Sequence, residues 1–71
     1  MAYAYTVKTS EDGLIGVYGK KSRALAAAKE YCGGDWNMSG ETIKLQSTGQ
    51  PFMWVYEGNG ATAEVELWWL Q

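Results

Sequence analysis

Only one stretch of this chain has the residue spacing of an α-helix. Between residues 22 and 32, small and apolar side chains fall on one side and charged side chains fall on the other. The apolar side consists of Ala24, Leu25, Ala28, Tyr31 and Cys32. Ser22 is placed to cap the N-terminus of this helix, and Gly33-Gly34 is placed to end it. With a single short helix, the pattern predicts an α+β fold in which strands supply the rest.

The remaining runs alternate with the period of a strand. Residues 3–9 and 14–18 flank Asp12-Gly13, a turn signal whose two residues both tolerate positive φ. Residues 41–47, 52–57 and 61–70 are separated by turn-forming sequences and predict a three-stranded meander. We therefore expect one α+β domain over residues 1–71, with an antiparallel sheet of about five strands (ββαβββ) and one helix packed on one face.

Charge and cysteine content narrow the class of protein. Six basic and eight acidic side chains give a net charge of −2, which argues against non-specific nucleic-acid binding. Cys32 is the single cysteine, so neither an intramolecular disulfide nor a Cys-x-x-Cys metal pair can form. The first residues alternate instead of forming an apolar leader, and no run approaches the ~20 apolar residues of a membrane span. We expect a cytoplasmic protein without a membrane role.

No pattern of catalytic or metal-binding residues stands out. The chain contains no histidine, which excludes Ser-His and Cys-His nucleophile pairs and any histidine metal site. Residues 16–22 read Gly-Val-Tyr-Gly-Lys-Lys-Ser, but a phosphate-binding loop needs a longer spacing between its glycines. Glu64 and Glu66 alternate like a solvated strand face, and Cys32 fits a buried apolar position. We expect no catalytic residue, metal or cofactor, and no enzyme activity.

Alternation along the strands predicts which side chains face the helix. The expected inward set is Ile15, Val17, Ile43, Leu45, Ala63, Val65, Leu67 and Trp69. The expected outward set is Leu14, Gly16, Tyr18, Thr42, Lys44, Gln46, Thr62, Glu64, Glu66 and Trp68.

The fourth strand leaves two assignments open, because both of its faces are apolar. If Met53 and Val55 face the helix, an aromatic band forms across the open face of the sheet beside Lys44. This band would consist of Tyr18, Trp54, Tyr56 and Trp68. In the reverse assignment, the aromatic side chains fill the space above a helix of small residues.

Two further features are candidate contacts. Lys20, Lys21 and Arg23 cluster at the start of the helix, either as a solvated group of charges or as a contact for an anion or an acidic partner. Trp36 and Met38 lie in a loop bounded by glycines. They can close the open end of the core or serve as exposed anchors for a partner. We favour closure and keep both residues as candidate contacts.

The general shape of the chain resembles very small proteins encoded by bacteriophages and mobile elements, including anti-CRISPR proteins, which block bacterial surveillance complexes. The features that carry this resemblance are the strand start Ala4-Tyr5-Thr6-Val7-Lys8, the alanine-rich helix at residues 22–32, the run Thr42-Ile43-Lys44-Leu45 and the aromatic strand around Trp54. The resemblance spans most of the chain. These proteins share no diagnostic motif, so it implies no particular binding residue.

We expect a small non-enzymatic protein that binds another protein and occludes its surface. The resemblance implies an inhibitor of a bacterial defence or nucleic-acid-processing complex, acting in the cytoplasm of a bacterial host. The candidate contacts are Tyr18, Lys20, Lys21, Arg23, Trp36, Met38, Trp54, Tyr56 and Trp68. Two alternatives stay open: a module that stacks single-stranded nucleic acid on the aromatic band, and a subunit that self-associates, for example as a homodimer through an apolar edge at residues 61–70.

Overall fold

The computed structural model describes residues 2–34 and 36–70, apart from the side chains of residues 2 and 70. The elements follow the predicted order of two strands, one helix and three strands. They are β1 (Ala2–Thr9), β2 (Gly13–Tyr18), α1 (Lys21–Tyr31), β3 (Met38–Leu45), β4 (Pro51–Gly58) and β5 (Ala61–Leu70). The predicted α+β fold in the order ββαβββ is confirmed.

The strands form one five-stranded antiparallel sheet in the spatial order β2-β1-β5-β4-β3. β5 lies in the centre and pairs with β1 on one side and with β4 on the other. The prediction that residues 61–70 form an open edge strand is therefore wrong, because β1 pairs with residues 63–70 and β4 pairs with residues 61–66. Pairing on both sides satisfies the backbone polar groups of residues 63–66 in the middle of this strand. The edge strands are β2 and β3.

The helix begins slightly earlier than the sequence predicts. Lys20 is extended (φ −124°, ψ 133°) and occupies the N-cap position without a side-chain capping bond, so α1 starts at Lys21 and the prediction of Ser22 as the cap is wrong. The helix ends at the glycine pair that the sequence predicts. Gly33 and Gly34 donate their N–H groups to carbonyls of the last turn at 3.0 and 2.7 Å, which is a Schellman arrangement. Within the described residues, no helix combines the length and the apolar character that a membrane crossing requires.

The core lies between α1 and the middle of the sheet. Ala24, Ala28 and Cys32 are fully buried on the helix. Their small side chains let the helix pack closely over β1 and β5. The buried apolar side chains on the facing side of the sheet are Tyr5, Val7, Trp54, Tyr56, Ala63 and Val65. Aromatic side chains of β1 and β4 therefore supply the volume that the helix lacks.

β4 decides between the two assignments that the sequence leaves open. Trp54 and Tyr56 are 6% and 1% exposed and belong to the core. Met53 and Val55 lie opposite two glutamates of β5 on the open face. The reverse assignment is therefore the correct one, because burying the two large rings removes more apolar area from water than burying Met53 and Val55.

The second half of β2 has the opposite orientation to the one predicted. Val17 faces the open side and is 61% exposed, whereas Tyr18 pairs with Tyr5 and packs against the core. The predicted orientations of Gly16, Val17 and Tyr18 are wrong, whereas Leu14 pairs with Lys8 on the open face, as predicted. A Cβ atom at Gly16 would lie 2.8 Å from the Tyr18 ring, so the glycine makes room for a ring that buries more apolar area than valine does.

Candidate functional site

The helix covers only part of the sheet. It starts near the Tyr5–Tyr18 pair, where β2 ends, and at its other end the Cys32 Sγ atom lies 3.5 Å from the Tyr56 carbonyl oxygen. The 11 residues of α1 span about 16 Å, whereas the 10 residues of β5 span about 33 Å. The end of the sheet in front of the helix N-terminus is therefore uncovered on the helix side.

This uncovered end carries an exposed apolar surface, the aromatic patch. It consists of Tyr3, Ile43, Leu45, Leu67 and Trp69. Tyr3 and Trp69 pair across β1 and β5 and are 45% and 55% exposed. Ile43 pairs with the core residue Trp54 and is 47% exposed. The register shift next to Leu45 adds its extra residue to β4 and not to β3, so alternation along β3 places Leu45, 57% exposed, on the same side. Ile43 and Leu45 thus point to the predicted side of the sheet, but the helix does not reach them.

A chain of ring contacts ties the patch to the core. The ring centroids of Trp69 and Tyr3 are 5.5 Å apart, those of Tyr3 and Tyr5 are 5.6 Å apart, and those of Tyr5 and Trp54 are 6.1 Å apart. The first two contacts are edge-to-face, a geometry that contributes about 0.5–1.5 kcal/mol per pair beyond burial. Because Tyr5 and Trp54 are buried, they hold the two exposed rings in place.

Basic side chains border the patch. Lys20, Lys21 and Arg23 are exposed at the start of α1, and the Lys21 Nζ atom lies 5.5 Å from the centre of the Trp54 ring. The first turn of the helix contains no acidic residue. Lys20 and Arg23 form no ion pair with any described residue. The predicted basic cluster is therefore exposed beside the patch and free to contact an acidic partner.

The opposite end of the molecule is acidic. Glu11 and Asp12 lie in the turn between β1 and β2, and Glu30 lies in the last turn of α1. The Tyr31 hydroxyl donates to Glu11 Oε2 at 3.3 Å, which ties this turn to the helix. The longest dimension of the molecule is 36 Å. A chain with a net charge of −2 therefore presents opposite charges at the two ends of its strands.

Trp36 lies at the acidic end and is 98% exposed. The expectation that it closes the core is wrong; Met38 alone packs against the core. The neighbouring residue Asn37 nevertheless forms two hydrogen bonds. Asn37 donates its backbone N–H to the Gly34 carbonyl (3.2 Å) and its side-chain Nδ2 to the Gly33 carbonyl (3.0 Å). Trp36 is thus an exposed side chain next to a residue that is hydrogen-bonded to the end of the helix.

The open face does not carry the aromatic band that one assignment predicts. Of its four proposed members, Trp68 alone lies there, 46% exposed, with its Nε1 donating to the Thr6 hydroxyl at 3.0 Å. Trp54 and Tyr56 are buried on the helix side, and Tyr18 is half-buried there. The open face instead mixes apolar side chains with Glu64 and Glu66. The predicted contact residues therefore do not form one surface.

Chemical groups suited to catalysis are not gathered anywhere in the described part of the chain. The described residues enclose no pocket, and no three His, Cys, Asp or Glu side chains among them are placed to hold a metal ion. Cys32 is fully buried, as expected. Burial raises the pKa of its thiol, and a backbone hydrogen bond from Ala63 lowers it by a smaller amount. This cysteine is therefore a packing residue.

Sequence reasoning missed all five patch residues as candidate contacts: Tyr3, Ile43, Leu45, Leu67 and Trp69. The predicted pattern assigns four of them, all except Tyr3, to the correct face, but it assumes that the helix covers the entire face. Comparing the lengths of the helix and the last strand would have revealed the uncovered end, because a helix rises less than half as far per residue as a strand.

Comparison with known proteins adds no relative. No protein-family model, no curated protein and no solved structure matches the chain.

Proposed function

We propose that this protein is a non-enzymatic protein-binding module that docks through the aromatic patch. The observation that carries the proposal is the half-exposure of Tyr3 and Trp69, whose rings rest edge-to-face on a buried aromatic chain. Exposed aromatic anchors next to charged side chains are typical of interface hot spots. Anchors that are already fixed lose little conformational entropy on binding.

The composition of the patch favours a protein over a nucleic acid as the ligand. Ile43 and Leu45 make up part of the surface, and aliphatic side chains add little to base stacking. The edge-to-face packing of Tyr3 against Trp69 also differs from a flat stacking platform. The border of Lys20, Lys21 and Arg23 favours a partner that combines apolar side chains with acidic ones.

A fixed surface without a pocket can act by covering a site on its partner. On the resemblance to phage-encoded proteins, we extend the proposal to an inhibitor of a bacterial defence or nucleic-acid-processing complex in the bacterial cytoplasm. The aromatic patch is then the surface that occludes the complex. In this reading Trp69 is the central contact, since it is the most exposed ring of the patch.

Neighbouring tryptophans on β5 give a matched test. The tagged wild type, Trp69→Ala and Trp68→Ala are expressed in a bacterial host, and co-purifying molecules are identified by mass spectrometry in low and high salt. Trp69 and Trp68 are similarly exposed (55% and 46%) but lie on opposite faces of one strand. Circular dichroism verifies that both variants fold.

We expect one stoichiometric protein partner that survives high salt, that Trp68→Ala retains and that Trp69→Ala loses. Equal loss in both variants would contradict docking through the patch. Nucleic acid that washes off with salt would favour the stacking alternative instead, because phosphate contacts are strongly salt-dependent.

A further inference from the structure

The two ends of the molecule are complementary in charge, and both expose apolar side chains. One end has the aromatic patch, bordered by Lys20, Lys21 and Arg23. The other end has Trp36, 98% exposed, with Glu11, Asp12 and Glu30 at the same end of the fold. The one lysine of the last helical turn, Lys29, lies 5.6 Å from the Tyr56 ring centre. The acidic end thus offers an apolar ring and carboxylates, which match the apolar side chains and the basic side chains at the patch end.

We propose that a second copy of this chain docks head to tail, with Trp36 of one copy on the aromatic patch of the next. In this contact the carboxylates of the first copy face the basic cluster of the second. The apolar ring supplies the buried centre and the charges supply the rim, which is the usual division of roles in an interface. The charges also set the orientation of the two copies.

The positions of the two surfaces exclude the simpler arrangements. β1 runs from Tyr3 at the patch to Thr9 at the acidic turn, so one molecule cannot place its own Trp36 on its own patch. A two-fold contact between two patches would join like ends, so neither basic cluster would meet the carboxylates of an acidic end. A head-to-tail contact joins unlike ends, and it leaves one free surface of each kind at the ends of the assembly.

This contact uses the same patch as the proposed function, but it does not require a foreign partner. The two occupants would compete for Tyr3 and Trp69. The experiment below uses the purified protein alone, so its result is independent of what co-purifies from a host. A monomeric protein that still captures a partner through Trp69 would refute self-docking and leave the proposed function standing.

The test is the molar mass in solution, measured by sedimentation equilibrium over a range of protein concentrations. For the wild type we expect the average mass to rise above that of the monomer with increasing concentration, and to rise less in high salt because exposed charges are screened. Trp36→Ala removes the anchor and Trp69→Ala removes the acceptor. Each variant alone should stay monomeric, whereas Trp68→Ala should associate like the wild type.

A mixture of the two monomeric variants provides the decisive measurement. Trp69→Ala keeps an intact Trp36, and Trp36→Ala keeps an intact patch, so the mixture can form one contact and no second one. We expect a dimer and nothing larger. A wild type that is monomeric at every concentration, association that survives Trp36→Ala, or a mixture that stays monomeric would each overturn the proposal.

Discussion

Gly58 at the end of β4 is the position where one added methyl group should disturb the molecule most. An ideal Cβ atom there would lie 2.5 Å from the Asn37 carbonyl oxygen, 2.8 Å from the Cys32 carbonyl oxygen and 2.9 Å from the Met38 Cα atom. All three are backbone atoms, so none can rotate away as a side chain would. Gly58→Ala therefore forces the loop that carries Trp36 away from the sheet.

The expected loss of stability follows from these distances. A carbon–oxygen contact normally lies near ~3.3 Å, so the Asn37 carbonyl has to move by about 0.8 Å. Overpacking typically costs ~1–3 kcal/mol, and we expect the upper end because both obstructing carbonyls belong to backbone that is packed and hydrogen-bonded. A domain of this size has a total stability of roughly 4–10 kcal/mol. The melting temperature should fall by about 4–8 °C for each kcal/mol lost.

Urea unfolding followed by circular dichroism measures this effect, with Gly40→Ala as the matched control. Gly40 lies in β3, has no atom within 4 Å of its ideal Cβ position and does not have a positive φ. Its replacement by alanine should leave the free energy of unfolding unchanged or raise it slightly, because alanine restricts the unfolded chain. If Gly58→Ala costs no more than Gly40→Ala, the close approach of the loop to β4 is refuted.

Three further substitutions test the core, the buried thiol and the basic cluster. Trp54→Ala should lower the free energy of unfolding by about 3–5 kcal/mol, and Trp68→Ala should lower it by about 1 kcal/mol or less. Urea titrations measure both losses, and equal losses would contradict the assignment of the two faces. Because burial raises the pKa of the Cys32 thiol, its contribution to stability is complete below the pKa of the unfolded thiol and is lost as the pH rises through the folded value. Cys32→Ala should therefore show a shallower alkaline fall in unfolding free energy than the wild type, and parallel curves would refute this. Arg23→Glu should stabilise the fold by about 0.3–1 kcal/mol through the helix dipole and should weaken any contact with an acidic partner. Thermal melts in low salt measure the change in stability, and a lower melting temperature would contradict the expected stabilisation.

The order of elements could be predicted because its signals are local. The hairpin turn at Gly13 has the positive φ (71°) that the Asp-Gly signal implies, and Gly33 ends the helix at φ 89°. The turn between β4 and β5 also follows from its sequence, since Asn59 and Gly60 both have positive φ (54° and 74°), as a type I′ hairpin turn requires. Each of these signals depends on neighbours along the chain and not on the rest of the fold.

The errors arose where distant parts of the chain decide the outcome. The pairing of β1 with β5 joins the two ends of the sequence and is not encoded in either strand alone. β2 contains a register shift opposite Val7 and Lys8, and such a bulge interrupts the simple alternation on which the predicted orientation of Val17 rests. The aromatic patch was missed for a related reason, since exposure depends on how far the helix reaches.

The uncovered end of the sheet is also where the sequence departs from rules that favour stability. Lys20 provides no side-chain cap, and Lys21 and Arg23 place positive charge at the positive end of the helix dipole, at a cost of about 0.3–1 kcal/mol each. Beside them, Tyr3 and Trp69 leave half of their area in water. A domain that is stable by only roughly 4–10 kcal/mol has little margin for such features. Their occurrence together at one end is explained if another protein surface binds there. Acidic groups of that surface would neutralise the basic cluster, and its apolar groups would cover the rings of Tyr3 and Trp69.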